Sequence, residues 1–306
     1  MSASSAQPQD PSPESSAPDS VSTTETTEAP KKAKTFPVVE IFGPTIQGEG
    51  STAGQQTMFV RFGLCDYRCL KCDSMHAVEP RAVKKHATWM TAEEIASSLA
   101  EVKKQTGVQW VTFSGGNPAM HKLEELVYLL HQLGFSINVE TQGTLNPEWL
   151  NACEILTISP KSPGMGEKFE EKKFRTMVAT RLGYGPMCIK VVVFSALDLE
   201  FALSVEGIFW EEWWEAFPGI RLIDEASFYL SLGNSYQPVL DENLDLVENP
   251  ANPSNGWDST TAMSLKTKLL ADYRALAEDL LVDPRLKSWR FLPQLHVLAW
   301  GNEAER

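Results

Sequence analysis

From Val38 onward, apolar and polar positions alternate between strand-like runs and stretches with a helical period. VVEIF (38–42) and TMFVRFG (57–63) read as strands on either side of a Gly-rich loop, GPTIQGEGSTAG. Thr91 with Glu94 makes a capping box, Ile95, Leu99 and Val102 share one helical face, and Gly107 stops the helix. VQWVTF (108–113) is a strand that runs into SGGNP. A helix carrying Leu123, Leu126, Val127 and Leu130 then ends at Gly134, before the strand FSINVE (135–140). ILTIS (155–159), CIKVVVF (188–194) and SFYLSLG (227–233) continue the strands, with helices over about 197–216 and 262–281. This alternation predicts an α/β fold with a mostly parallel sheet and crossover helices. Ser114, Thr141 and Ser159 each follow a strand, so they gather at the carboxyl end of the sheet.

Two ends of the pattern stand apart from it. Residues 1–35 are Ser, Thr, Pro, Ala and Glu with few large apolar side chains, so they cannot offset the entropy of ordering and form a disordered tail. Lys31, Lys32 and Lys34 near its end read as solubilising charges. Residues 36–306 then form one catalytic domain with an insertion at about 197–260. Within it, FWEEWWEAF (209–217) is read as an amphipathic helix, with a lid or partner surface as the alternative, and 241–260 as an exposed loop.

Composition narrows the classes. A chain of 306 residues, 42% hydrophobic, can bury a substantial core. A net charge of −13 argues against a nucleic-acid partner, which needs a basic face. No apolar run is long enough to span a membrane and no secretory signal opens the chain, so a cytoplasmic location is expected. Five cysteines, three clustered and two alone, suit a reducing compartment; Cys153 and Cys188 read as small buried hydrophobes.

The clustered cysteines carry the chemistry. Cys65, Cys69 and Cys72 form a Cys-x3-Cys-x2-Cys run that can hold a 4Fe-4S cluster through three irons and leave the fourth open to a small molecule. S-adenosylmethionine suits such an iron, because its amino and carboxylate groups chelate and its sulfonium accepts an electron. The spacing also admits a structural zinc with His76 as fourth ligand, which would make the chain a binding module.

EIFGPTIQGEG, FVRFGLCDYRCLKCDS, SGGNP, ETQGT, SPK and PQLH, in this order, resemble the 7-carboxy-7-deazaguanine synthase family of radical S-adenosylmethionine enzymes. The resemblance implies a partial (β/α) barrel and a reaction in which 6-carboxy-5,6,7,8-tetrahydropterin loses ammonia and contracts one ring to 7-carboxy-7-deazaguanine, on the way to queuosine and related deazapurines. It also implies Mg2+, a flavodoxin or ferredoxin as electron donor, and a homodimer. Ile46, Gln47, Gly48, Arg61 and Ser114 would meet the substrate, with Arg61 on its carboxylate. Lys71, Cys72, Asp73, Gly116, Ser159, Pro160 and Lys161 would meet the adenosyl cofactor, and Ser74 would offer a hydroxyl to magnesium. Glu140, Thr141, Gln294 and His296 fall near the site, and Glu49 is either part of the loop's hydrogen bonding or its rim. Asn117 stands where many radical enzymes have Glu. A glycyl-radical activating enzyme shares the cysteine spacing and is the second enzymatic reading.

Overall fold

A computed structural model describes residues 33–220, 226–254 and 263–303, so the tail read over 1–35 lies almost wholly outside the described residues. Among the described residues eleven strands are present: β1 (Thr35–Ile46), β2 (Gln56–Phe62), β3 (Thr88–Thr91), β4 (Trp110–Gly115), β5 (Ser136–Thr141), β6 (Ile155–Ile158), β7 (Met187–Val193), β8 (Ala226–Leu232), β9 (Val239–Leu240), β10 (Leu246–Val247) and β11 (Trp289–Leu292). Nine of them form one sheet in the order β11-β8-β7-β6-β5-β4-β2-β1-β3. Every neighbouring pair from β2 through β11 is parallel, and β1 pairs antiparallel with both β2 and β3. The strand order does not close on itself, as expected of a partial barrel.

Among the described residues eight α-helices accompany them: α1 (Met75–Val78), α2 (Pro80–His86), α3 (Ala92–Thr106), α4 (Glu124–Gln132), α5 (Glu171–Arg181), α6 (Ala196–Ala216), α7 (Leu265–Val282) and α8 (Leu295–Trp300). The α3 start follows from its capping box, in which Thr91 Oγ1 accepts from Glu94 N and the Glu94 carboxylate accepts from Thr91 N. Gly107 ends that helix in the left-handed conformation, at φ 75°, where a side chain would be strained. Ile95 and Leu99 of α3 and Leu126 and Leu130 of α4 bury their apolar stripes in a core that also takes Val60, Phe62, Val111, Phe113, Ile137 and Val139 from the strands.

The span read as an insertion contains α6, which crosses from β7 to the parallel β8 of the same sheet. Its aromatic and acidic end divides as an amphipathic helix should. Phe209 and Trp213 are buried against the core, while Glu211 and Glu212 pair with Arg175 of α5. The stretch expected as a loop over 241–260 holds part of a small hairpin, β9–β10. That hairpin is tied to α2: Lys85 Nζ donates to Asn243 O at 2.7 Å and pairs with Asp245 at 2.6 Å, and His86 Nε2 donates to Leu244 O. Residues 255–260 lie outside the described ones.

The core predicts its own sensitivity. Phe113 is fully buried and meets Phe62 and Trp149 edge-on, so Phe113→Ala should cost about 3–5 kcal/mol in urea unfolding. Tyr128, 62% exposed on α4, should tolerate Ala within about 0.5 kcal/mol.

Candidate active site

Parallel pairing brings the strand ends together. Arg61 of β2 stands beside Ser114 of β4, and Thr141 of β5 beside Ile158 of β6, with Ser159 immediately after. Over these ends lies a cavity of about 580 Å³. The three cysteines, Lys71, Asp73, Ser74 and Lys161 line it, as do Ile46, Gln47, Arg61, Ser114, Gly116, Glu140, Ser159 and His296. Gly48 and Pro160 are not in its wall. Gly48 lies under His296, whose Nδ1 would come within 2.0 Å of an added Cβ, and Pro160 is buried beside Ser159.

The cysteine loop leaves β2 and is fixed from several directions. Leu64 N donates to Ala77 O, Leu70 N to Met165 O, and Asn117 N to Leu64 O. The Gly-Gly pair serves this packing. A Cβ on Gly115 would lie 2.1 Å from Phe62 O, and one on Gly116 1.9 Å from Leu64 O, so only glycines let the end of β4 abut the chain entering the loop. Asn117, fully buried, has a side-chain role in the same joint: Nδ2 donates to Asp66 and Oδ1 accepts from Thr141 Oγ1, both at 2.8 Å. Gln142 Nε2 donates to Asp66 and lies 3.5 Å from Cys65 Sγ.

Burial pushes the thiols up, to about 11 at Cys69 and about 12 at Cys72, and upward also at Cys65. Asp73 adds to the rise at Cys72, while Lys161 pulls all three down. Thiols of this kind become ligands by releasing their protons as the metal's positive charge stabilises the thiolates. The donor set fits an iron–sulfur cluster better than zinc. Zinc needs four ligands around one point, and among the described residues no three His, Cys, Asp or Glu side chains enclose a single ion. A cluster spreads its thiolates over separate irons. Ser114 Oγ is buried without a hydrogen-bond partner at the cavity wall, which suits a missing ligand rather than a closed core.

Two charged networks shape the rest. Arg61 donates from Nε to Glu40 at 2.8 Å and from Nη1 to Ser74 Oγ at 2.7 Å, leaving Nη2 uncommitted in these bonds. Ser74 Oγ in turn donates to Asp73 at 2.9 Å, which leaves its oxygen a further lone pair. Burial works against the charge on Glu40, but His76 and Arg61 outweigh it and hold the carboxyl at about 2. The second network joins Gln47, Glu49, Glu140 and Lys190. Lys190 Nζ pairs with Glu49 at 2.8 Å and Glu140 at 3.1 Å, and Gln47 Nε2 donates to Glu140 at 2.8 Å. Gln47 Oε1 accepts from Glu49 N, so both ends of its amide are engaged within the protein. Gln294 donates to Glu49 at 3.2 Å. The Lys71 ammonium sits 3.8 Å over the Phe194 ring, which leaves its main chain as the part free to meet a cofactor. Lys161 Nζ donates to Ser159 Oγ.

Sequence reasoning missed Lys190, Glu40 and Gln237, whose buried Oε1 faces the cavity unpaired. The only signal was a lone charge inside an apolar strand, Lys190 in CIKVVVF and Glu40 in VVEIF.

Residues 60–156 match the family model of the radical SAM superfamily. The chain is 39% identical to the 7-carboxy-7-deazaguanine synthase of Bacillus subtilis (strain 168), over 89% of this chain and 98% of that one. It is 34% identical to the enzyme of that name from Bacillus cereus, over 88% and 98%. Among solved structures, QueE from Escherichia coli matches the fold with a TM-score of 0.52 at 20% identity, covering 85% of this chain and 94% of that one.

The Glu40 pair makes stability depend on acid. A carboxyl lowered from about 4.5 to about 2 on folding contributes stability that is complete above about pH 5 and lost as pH falls through 2. The loss should be on the order of 3 kcal/mol at its ceiling. Urea unfolding at pH 7 and pH 3 should therefore show a smaller drop for Glu40→Gln than for the parent chain.

Proposed function

The chain belongs to the 7-carboxy-7-deazaguanine synthase family of radical S-adenosylmethionine enzymes, and from that premise we propose how its residues divide the work on 6-carboxy-5,6,7,8-tetrahydropterin. The observation that carries the reading is one cavity lined by the three thiols together with Arg61, Glu49 and Glu140. Cys65, Cys69 and Cys72 would hold the 4Fe-4S cluster, and Asp73, Gly116, Ser159, Lys161 and the Lys71 main chain would surround S-adenosylmethionine, with Pro160 backing Ser159. When bound and given an electron by a reductant, the cluster and S-adenosylmethionine would supply hydrogen-atom abstraction from the pterin.

Arg61 receives the substrate carboxylate. Its anchoring by Glu40 and Ser74 fixes the guanidinium plane before substrate arrives, so little side-chain entropy remains to be lost. Ser114 Oγ gives its unused donor and acceptor capacity to the substrate, and Ile46 closes the edge of the ring site. Glu49 and Glu140 face the N–H-rich aminopyrimidinone edge as acceptors, while Gln47 and Gly48 hold that loop in register and His296 packs on it. Ser74 would offer its remaining oxygen lone pair to magnesium, which would help hold the substrate carboxylate. A flavodoxin or ferredoxin as donor, a homodimer and a cytoplasmic location rest on the family resemblance. Among the described residues no helix is long and apolar enough to cross a membrane.

Anaerobic protein with S-adenosylmethionine, reductant and carboxypterin should release ammonia and 7-carboxy-7-deazaguanine. Absence of both with an intact cluster would reject the reading, and transfer of the radical to a glycine of a partner protein would favour an activating enzyme. Ser74→Ala should remove most of the response to added magnesium while S-adenosylmethionine cleavage without substrate stays near the parent rate. An unchanged magnesium response would exclude Ser74 as a ligand.

A further inference from the structure

Lys190 is the single charged side chain of β7, and it is 3% exposed. Its ammonium bridges Glu49 of the β1–β2 loop and Glu140 of β5, and all three line the cavity. Each carboxylate is also gripped from behind. Glu49 Oε1 accepts from Ser231 Oγ of β8 at 2.5 Å and from Gln294, and Glu140 Oε1 accepts from Gln47. Two buried carboxylates this close to one ammonium share its charge, and without it one of them would take up a proton. With it, burial disfavours every charge in the group, yet Glu49 is held well below the usual carboxylate range and Lys190 above its own. The group keeps one net negative charge and shows the cavity oxygen acceptors at fixed places.

A protonated carboxyl would turn an acceptor into a donor, which matters to a ligand whose facing edge carries N–H groups. We propose that Lys190 is a positioning and selectivity residue: by bridging Glu49 and Glu140 it keeps both as hydrogen-bond acceptors for the aminopyrimidinone edge of the pterin. This rests on the carboxypterin reading above. The carboxylate end of the substrate, at Arg61, is recognised independently of it.

The test is equilibrium titration of cluster-loaded protein with 6-carboxytetrahydropterin in the presence of S-adenosylmethionine and without reductant, so that nothing turns over. The second probe is the same pterin lacking its 2-amino group. Lys190→Met should weaken binding of the full substrate by about tenfold or more, the scale of a lost hydrogen bond to a charged group, and should narrow the preference over the analogue. The weakening should deepen from about pH 8 to pH 6, as the carboxylates take up the proton that the ammonium kept away. Glu49 and Glu140, with His296 of α8 and Cys188 of β7, are the other ionisable groups about this cluster, and His296 and Cys188 are common to both proteins.

Glu49→Gln and Glu140→Gln examine the edge reading itself. If both bind substrate and analogue as the parent does, that reading fails whatever Lys190 does. If either loses the preference while Lys190→Met keeps it, the Lys190 inference alone is overturned. For a Lys190→Met chain that does not fold, Lys190→Met/Glu49→Gln restores the net charge and is compared with Glu49→Gln. The inference expects the double variant to bind about tenfold more weakly, and equal binding overturns it.

Discussion

The site depends on parallel pairing. From β2 to β11 every adjacent strand points the same way, so residues far apart in sequence end at one rim of the sheet. Arg61 meets Ser114 across one register, and Thr141 meets Ile158 just before Ser159 across another. Crossover helices buried by apolar stripes hold that register, because a slip of one residue would turn a strand's core face toward solvent. The Gly-Gly pair then lets the cysteine loop close against β4. Chemistry at the rim therefore inherits its precision from the core beneath.

Buried charge supplies the second layer of order. Glu40 and His76 brace Arg61, and Ser74 links it to the loop that carries Cys72. Across the cavity Lys190 braces Glu49 and Glu140, with Ser231 and Gln294 joining β8 and the segment before α8. Such pairs are weak contributors to stability, since desolvation offsets most of their attraction. Their value here is geometric. A guanidinium and two carboxylates enter binding already placed, in the wall of one chamber.

Much of this was legible in the sequence, for identifiable reasons. The apolar runs that became β2, β4, β5, β6, β7 and β8 are long and bounded by Gly or polar residues, and a capping box marked α3. The strands shifted by a residue or two at their ends, where side chains stop packing and propensity no longer decides. β3 and β11 went unread because TWMT and WRFL are short and partly exposed. α5 went unread because EKKFRTMVATR is mostly polar and buries only Phe174, Met177 and Val178 with Arg181. The cysteines and glycines announced the site because their spacing is itself the signal. Lys190 and Glu40 did not, since a single charge in an apolar strand acquires meaning only from partners such as Glu49, 141 residues away. Gln47, read as a pterin contact, bonds through its amide to Glu140 and Glu49 and keeps one N–H and one lone pair besides.

The central claim is that the cluster-binding thiols and the carboxylate-binding Arg61 of this cavity serve one substrate molecule at once. Turnover with 6-carboxytetrahydropterin deuterated at C6, followed by mass analysis of the recovered 5′-deoxyadenosine, tests it most directly. The account predicts deuterium in the 5′-deoxyadenosine alongside the deazaguanine product. Deazaguanine formed while the 5′-deoxyadenosine carries no deuterium would contradict it.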